Sequence, residues 1–282
     1  MYITVVRQLG IGVLSGAVKV LSGAVKVLGP TMPPVYQHQD ALLAATAEAE
    51  ARHFWFRGFR RFVTPLLEEA VRGRQDPRLL DCGCGTGSNK AWIGAYGRAF
   101  GFDYTFSGLQ AGRRAGRGGL AQATAAAMPY ADATFDVVTS FDMLQVLPDE
   151  VEAAAIGEMA RVLAPGGALV LNVAAMRMLH GHHALLSEEA RRYSRAELET
   201  KLTAAGFVIA SMTHTNATLF PVMLAVRTAQ RLRGAEARVA DIAVPPAPVN
   251  ALFDGLLALE ARALRHVSVP LGSSILCLAK KP

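Results

Sequence analysis

The chain has 282 residues, of which 51% are hydrophobic and 18% charged, so it carries enough apolar material for a sizeable core and is not a disordered polymer. Three cysteines exclude a disulfide framework, and Cys82-x-Cys84 lacks the second pair that a structural zinc site needs. The formal net charge of +6 is too modest to specify a partner, and no uninterrupted apolar run is long enough for a membrane-spanning helix.

In chain order, the first feature is a tandem heptad: Val13-Leu14-Ser15-Gly16-Ala17-Val18-Lys19 recurs letter for letter as residues 20–26. At 3.6 residues per turn its Val, Leu and Ala fall on one arc and its Ser, Gly and Lys on the other, which is the pattern of an interfacial helix. Each heptad also carries a glycine that costs about 1 kcal/mol in a helix, so a short duplication in a disordered extension is the competing reading. Residues 1–31 are therefore an extension, amphipathic or disordered. A Gly/Pro break at 29–34 separates it from an N-terminal helical cap over 32–77, with an aromatic and basic cluster at His53-Phe54-Trp55-Phe56-Arg57.

From residue 78 strand and helix signals alternate. Short apolar runs predict strands at 78–81, 98–103, 119–122, 135–140, 168–173, 207–212 and 273–279. Helices are expected at 148–163 and 195–205, with a turn at Pro165-Gly166-Gly167. Such alternation predicts an α/β fold, a Rossmann-like seven-stranded, mostly parallel sheet with helices on both faces. Residues 213–272 interrupt it with two helical stretches, 219–233 and 251–265, joined by a proline-rich link. That is too long for a plain connection and suggests a lid, an oligomer surface or a peripheral contact.

The stretch Leu80-Asp81-Cys82-Gly83-Cys84-Gly85-Thr86-Gly87 stands at the carboxyl end of the first of these strands, where open parallel sheets bind ligands. Its glycine spacing is neither that of a pyrophosphate-binding loop nor that of a P-loop. Asp103 ends the next strand, where a carboxylate can accept both hydroxyls of a ribose. A nucleoside without phosphates is the ligand implied.

These residues, with Gly101-Phe102-Asp103, Met128-Pro129-Tyr130 before Phe135-Asp136-Val137-Val138, Arg161-Val162-Leu163-Ala164-Pro165-Gly166-Gly167 and Ala205-Gly206-Phe207, resemble the class I S-adenosylmethionine-dependent methyltransferases of the methyltransferase type 11 kind. The resemblance implies S-adenosylmethionine as cofactor, Gly83, Cys84, Gly85 and Gly87 as the loop that approaches it, Asp81 as the support of that loop and Asp103 as the ribose holder. Tyr104 flanks the adenine or packs as an ordinary tyrosine; Thr124, Ala125 and Phe141 complete the expected cofactor residues. Two positions depart from the family. Ala123-Thr124-Ala125 stands where an acidic residue near the adenine is frequent, and Gln145-Val146 replaces a common Glu-His pair.

Methyl transfer from a sulfonium demands alignment above all, so proximity can supply most of the acceleration, and no metal-ligand spacing is convincing. Phe54, Trp55 and Phe56 can offer aromatic faces to the sulfonium, and Arg57 can meet the methionine carboxylate. Catalytic candidates are His180, His183 and Tyr193, in the region after the fifth strand of the expected sheet. His183 and Arg191-Arg192-Tyr193 resemble a bacterial subgroup with a His-Asp pair, but Ala184 replaces the aspartate. The expected function is in-line methyl transfer to a small-molecule acceptor, in the cytoplasm or at a membrane periphery. The competing class is a non-catalytic cofactor-binding or scaffold protein that offers the inserted helices to a partner or a membrane surface. Nucleic acid is disfavoured as a substrate, since no base-flipping motif or RNA-binding module is present. The acceptor and the oligomeric state are not readable.

Overall fold

A computed structural model describes residues 18–21, 24–27, 52–179, 189–232 and 244–282, without the side chains of 18–27, 179, 227 and 230–232. The chain opens on two short strands, Val18–Leu21 (β1) and Ala24–Val27 (β2), paired antiparallel with Val18 opposite Val27, Lys19 opposite Lys26 and Val20 opposite Val25. This segment is a β-hairpin rather than the interfacial helix its heptad suggests. The reason lies in the duplication itself, which writes Val-Lys-Val-Leu and Ala-Val-Lys-Val on either side of Ser22-Gly23. β-branched valines on both sides of a two-residue link favour strand pairing, and the glycines weaken the helix.

Beyond it come α1 (Phe54–Val71), β3 (Arg78–Cys82), α2 (Ser88–Ile93), β4 (Arg98–Asp103), α3 (Phe106–Arg114), β5 (Leu120–Gln122), β6 (Phe135–Phe141), α4 (Asp149–Val162) and β7 (Leu163–Ala174). α5 (Arg195–Ala204), β8 (Val208–Thr215), α6 (Phe220–Leu232), α7 (Ala247–Ala263) and β9 (Ser274–Lys280) finish the chain. The strand order is β1-β2-β5-β4-β3-β6-β7-β9-β8. The seven strands from β5 to β8 form the expected sheet: β5, β4, β3, β6 and β7 run parallel, and β9 runs antiparallel between β7 and β8. β7 starts earlier than the sequence suggests, with a register irregularity that absorbs Pro165-Gly166-Gly167.

Neighbouring residues of each strand point to opposite faces, and both faces are buried. Leu80, Val138, Leu169, Leu171 and Cys277 pack under α4 and α5, through Ile156, Met159, Leu198 and Leu202. Leu79, Val137, Val170, Leu276 and Leu278 face the other way, under Val63 and Leu67 of α1 and Leu257 of α7. Helix α7 is thus a structural layer in its own right. Asn250 fixes it to the start of α1, accepting from the Phe54 amide and donating to the Arg52 carbonyl, both at 2.9 Å. Asp254 takes both Arg57 and Arg61. Among the described residues no helix is long and apolar enough to cross a membrane.

Candidate active site

Parallel pairing brings the ends of β3, β4 and β6 to one edge of the sheet, with Asp81 level with Gly101 and Thr139. The chain leaves β3 through Gly83 (φ +72°), a backbone region that L residues rarely adopt, and a Cβ there would stand 2.8 Å from Met143. The loop is stitched to the end of β4. The amides of Gly83 and Cys84 donate to the Phe102 carbonyl at 3.0 and 2.9 Å, and the Gly85 amide donates to Asp103 Oδ2 at 2.7 Å. Asp103 Oδ1 accepts from the Thr105 amide at 2.7 Å. The Thr105 side chain also bonds this carboxylate, which with four acceptor positions still has capacity for a ligand. Burial raises the Asp103 carboxyl above its ordinary value, against the pull of these two amides.

Asp81 lies beneath the loop, buried. Its Oδ1 accepts from Thr139 Oγ1 at 2.9 Å, while Oδ2 is buried with no hydrogen-bond partner among the described residues. Burial pushes its carboxyl up to about 7; the Thr139 bond opposes the shift and the Asp103 charge adds to it. Burial pushes the thiols of Cys82 and Cys84 well above their usual range, so both are inert small residues of the loop rather than nucleophiles.

Between this loop and α1 lies a cavity of about 240 Å³. Trp55, Phe56 and Phe59 of α1 close it on one side, Gly83, Cys84, Gly85, Thr86 and Asn89 form the floor, and Phe141 and Asp142 at the end of β6 stand opposite. Phe59 and Phe141 meet edge to face at 5.0 Å, which holds the helix over the strand ends.

Of the residues singled out in the sequence, Gly83, Cys84, Gly85 and Phe141 line this cavity. Asp81 and Asp103 support it from below and beside. The Ala123 amide bonds to the Asp103 carbonyl, which sets the buried Thr124 and Ala125 next to that carboxylate's strand end. Tyr104 is exposed, its carbonyl taken by Gln122 Nε2 at 2.9 Å. Gly87 (φ +75°) caps the start of α2. Trp55 and Phe56 face the cavity, whereas Phe54 packs against Phe253 of α7. Arg57 is engaged by Asp254 and does not reach the cavity lining. Tyr193 is buried, and its hydroxyl donates to Glu152 Oε1 at 2.6 Å. His180 and His183 lie outside the described residues.

Two lining residues lie outside the stretches singled out in the sequence: Phe59 and Asp142. The signal for Asp142 is simple, since it is the first residue beyond a buried parallel strand, on the ligand-binding edge.

Residues 80–171 match the family model described as a methyltransferase domain. Among solved structures, a chain of the complex between the Haloferax volcanii Trm112 methyltransferase activator and a putative methyltransferase is 20% identical, with TM-score 0.56 over 88% of this chain and 97% of that one. The 4+2 cyclase SpnF is 21% identical, with TM-score 0.58 over 90% of this chain and 97% of its own. Haemonchus contortus phosphoethanolamine N-methyltransferase 2, in complex with phosphomonomethylethanolamine and S-adenosylhomocysteine, is 15% identical, with TM-score 0.58 over 92% of this chain and 62% of its own. These structural likenesses establish the fold. The family match makes the chain an enzyme carrying a methyltransferase domain, whose chemistry calls for S-adenosylmethionine as methyl donor.

The site suits that cofactor. The orphaned Oδ2 of Asp81 is a buried acceptor awaiting a donor, Asp103 has lone pairs for a diol, and four aromatic side chains face a space fit for a sulfonium.

Proposed function

We propose that the chain transfers the methyl group of S-adenosylmethionine, in line, to a small organic acceptor. The observation that carries this reading is the partly open cavity of about 240 Å³ between the glycine loop and α1, of a size for small ligands and lined by aromatic rings, the loop backbone and one carboxylate. The cofactor supplies an electrophilic methyl on a good leaving group, so what the protein contributes is mainly alignment and exclusion of water.

In this reading Gly83, Cys84 and Gly85 let the cofactor approach the backbone, Asp81 receives a donor at Oδ2, and Asp103 accepts from the ribose. Thr124 and Ala125 border the adenine, with Tyr104 at its rim. Trp55, Phe56, Phe59 and Phe141 surround the sulfonium. His180 and His183 serve as proton acceptors for acceptors that must lose a proton, and replacing each in turn by glutamine tests this by the loss of turnover at neutral pH.

The decisive experiment incubates the enzyme and labelled S-adenosylmethionine with a cell extract divided by size. Label entering the low-mass fraction supports the reading; label found only in protein or nucleic acid overturns it. Calorimetric binding of S-adenosylhomocysteine in the same preparation checks that the protein is competent.

A further inference from the structure

We propose that Asp142 is the carboxylate that binds the methyl acceptor, and that this acceptor is an amine; the proposal rests on the small-molecule reading above. Asp142 has φ +57°, in the left-handed region that favours glycine, although it is an aspartate directly following the buried strand β6. Such a conformation at a ligand-binding edge persists where the surroundings over-determine it.

Here they do. Asn172, buried in the middle of β7, donates its Nδ2 to Asp142 Oδ1 at 2.9 Å, and Gln145 donates its Nε2 to the same oxygen at 3.1 Å. Gln145 is itself fixed, its Oε1 accepting from the Ala174 amide at 3.2 Å. The Asp142 amide donates to the Asn172 carbonyl at 3.0 Å. All the side-chain support falls on Oδ1. No described residue hydrogen-bonds Oδ2, and the residue is exposed in the wall of the cavity, beside Phe141 and opposite Trp55 and Phe56. The glutamine that stands near the family's usual Glu-His pair therefore holds a carboxylate in place. An asparagine in an otherwise apolar strand finds its purpose in the same bond.

The chemistry selects the ligand. The amine enters mostly as its ammonium ion and first releases that proton to solvent; the neutral amine then forms a C–N bond as the C–S bond of the donor breaks. The sulfur leaves as a neutral thioether and the positive charge arrives on nitrogen, which keeps its proton until the product reaches water. A fixed carboxylate beside that nitrogen, in a cavity walled by aromatic rings, favours the charge where it develops. A hydroxyl acceptor would instead have to give its proton to a base. Although the residue opens onto the cavity, its carboxyl is enclosed by its neighbours, and this desolvation raises it to about 6; Glu189 adds to the rise, and the bonds from Gln145 and Asn172 and the charge of Arg192 oppose it. Mostly ionised at neutral pH, the carboxylate offers its charge to an ammonium group, which a neutral alcohol cannot match. Asp81 and Asp103 meet the glycine loop and the end of β4, and Glu189 pairs with Arg192, so among the described carboxylates Asp142 is the one in the cavity lining.

The test uses the full-length enzyme saturated with S-adenosylhomocysteine, titrated by calorimetry with benzylamine, tryptamine and N-methylbutylamine and with benzyl alcohol, tryptophol and butanol. We expect the amines to bind and the alcohols not to. Amine affinity should rise with pH through about 6 as Asp142 ionises. Asp142→Asn keeps an oxygen for Asn172 and Gln145; it should leave S-adenosylhomocysteine binding unchanged, remove that pH dependence, and lower kcat/KM for amines roughly 100-fold. Gln145→Met, a change at a positioning residue, removes a bond to the charged form, so the midpoint of the pH dependence should move upward while amine binding at high pH persists. Three results overturn the proposal: alcohols binding in place of amines, no amine binding to the wild-type complex, or equal loss of cofactor binding in Asp142→Asn. Failure of S-adenosylhomocysteine to bind the wild-type chain is a separate result, which would sink the parent reading.

Discussion

Asp103 accepts from the Gly85 and Thr105 amides at once, so it both shapes the loop and presents its remaining lone pairs to the cofactor's ribose. Asp103→Ala should weaken S-adenosylmethionine binding by about 2–4 kcal/mol, as expected for one or two hydrogen bonds to a charged group. Calorimetry reads this directly, and an unchanged affinity would remove the ribose role. Asp81 makes a different prediction. Its carboxyl lies near 7 in the folded chain, against an ordinary value of 3.8. Between those values the folded state holds a proton that the unfolded state has released, so this group's contribution to stability falls as pH rises from about 4 to about 7. Asp81→Asn should escape that fall: relative to wild type, its melting temperature without cofactor should climb across this window and level off above it. A difference that is flat with pH would mean that Asp81 stays ionised. The glycines, Asp81 and Asp103 were legible in the sequence because strand ends fix their spacing. The place of Asp142 can be read from the end of a buried strand, but its anchoring cannot, since that depends on a left-handed backbone and on Asn172, which reaches it only through the pairing of β6 and β7.

At the scale of elements, the strands could be read one by one, because each is a short apolar run buried on both faces and bounded by Gly, Pro or Asp. Helix α7 could not be placed. Its inward face includes two carboxylates, Asp254 and Glu260, which look like solvent-facing residues in a sequence. In the fold Asp254 meets Arg57 and Arg61, and Glu260 accepts from the Ala217 and Thr218 amides, each at 2.9 Å. Those arginines belong to α1, far away in the chain, so the layer that α7 builds is invisible locally. The contact between the two helices is close at Gly58, where a Cβ would stand 2.4 Å from Cδ1 of the fully buried Leu257. Helix propensity alone predicts that Gly58→Ala stabilises by about 1 kcal/mol. Overpacking against a side chain with no room to turn predicts a loss of about 1–3 kcal/mol, and the packing effect should win. Because α1 carries Trp55, Phe56 and Phe59 over the cavity, the same variant should bind S-adenosylmethionine more weakly. Greater stability in a urea melt would show that α1 and α7 do not pack through this glycine.

For the molecule as a whole, the sheet is extended by a hairpin that the methyltransferase domain match does not include. The duplicated heptad carries a second pattern, because Val-Lys-Val-Leu followed after two residues by Ala-Val-Lys-Val is nearly its own mirror image, so that valine meets valine across the pair. The same register sets Lys19 opposite Lys26. β2 then runs parallel to β5, with Lys26 level with Gln122, and covers what would otherwise be the open edge of the sheet. β5 is only three residues long and leads straight into Ala123–Ala125; β4 pairs with one side of it, so β2 is the described strand on its other side. Removing residues 1–27 should therefore speed amide exchange in Leu120–Gln122 while leaving β3 and β6, at the centre of the sheet, as protected as before. S-adenosylmethionine affinity should fall modestly, because the adenine-side segment follows that strand without a direct contact from the hairpin to Asp81 or Asp103. Exchange by mass spectrometry distinguishes the outcomes: equal protection of β5 with and without the hairpin would mean that the duplicated segment does not cover the edge.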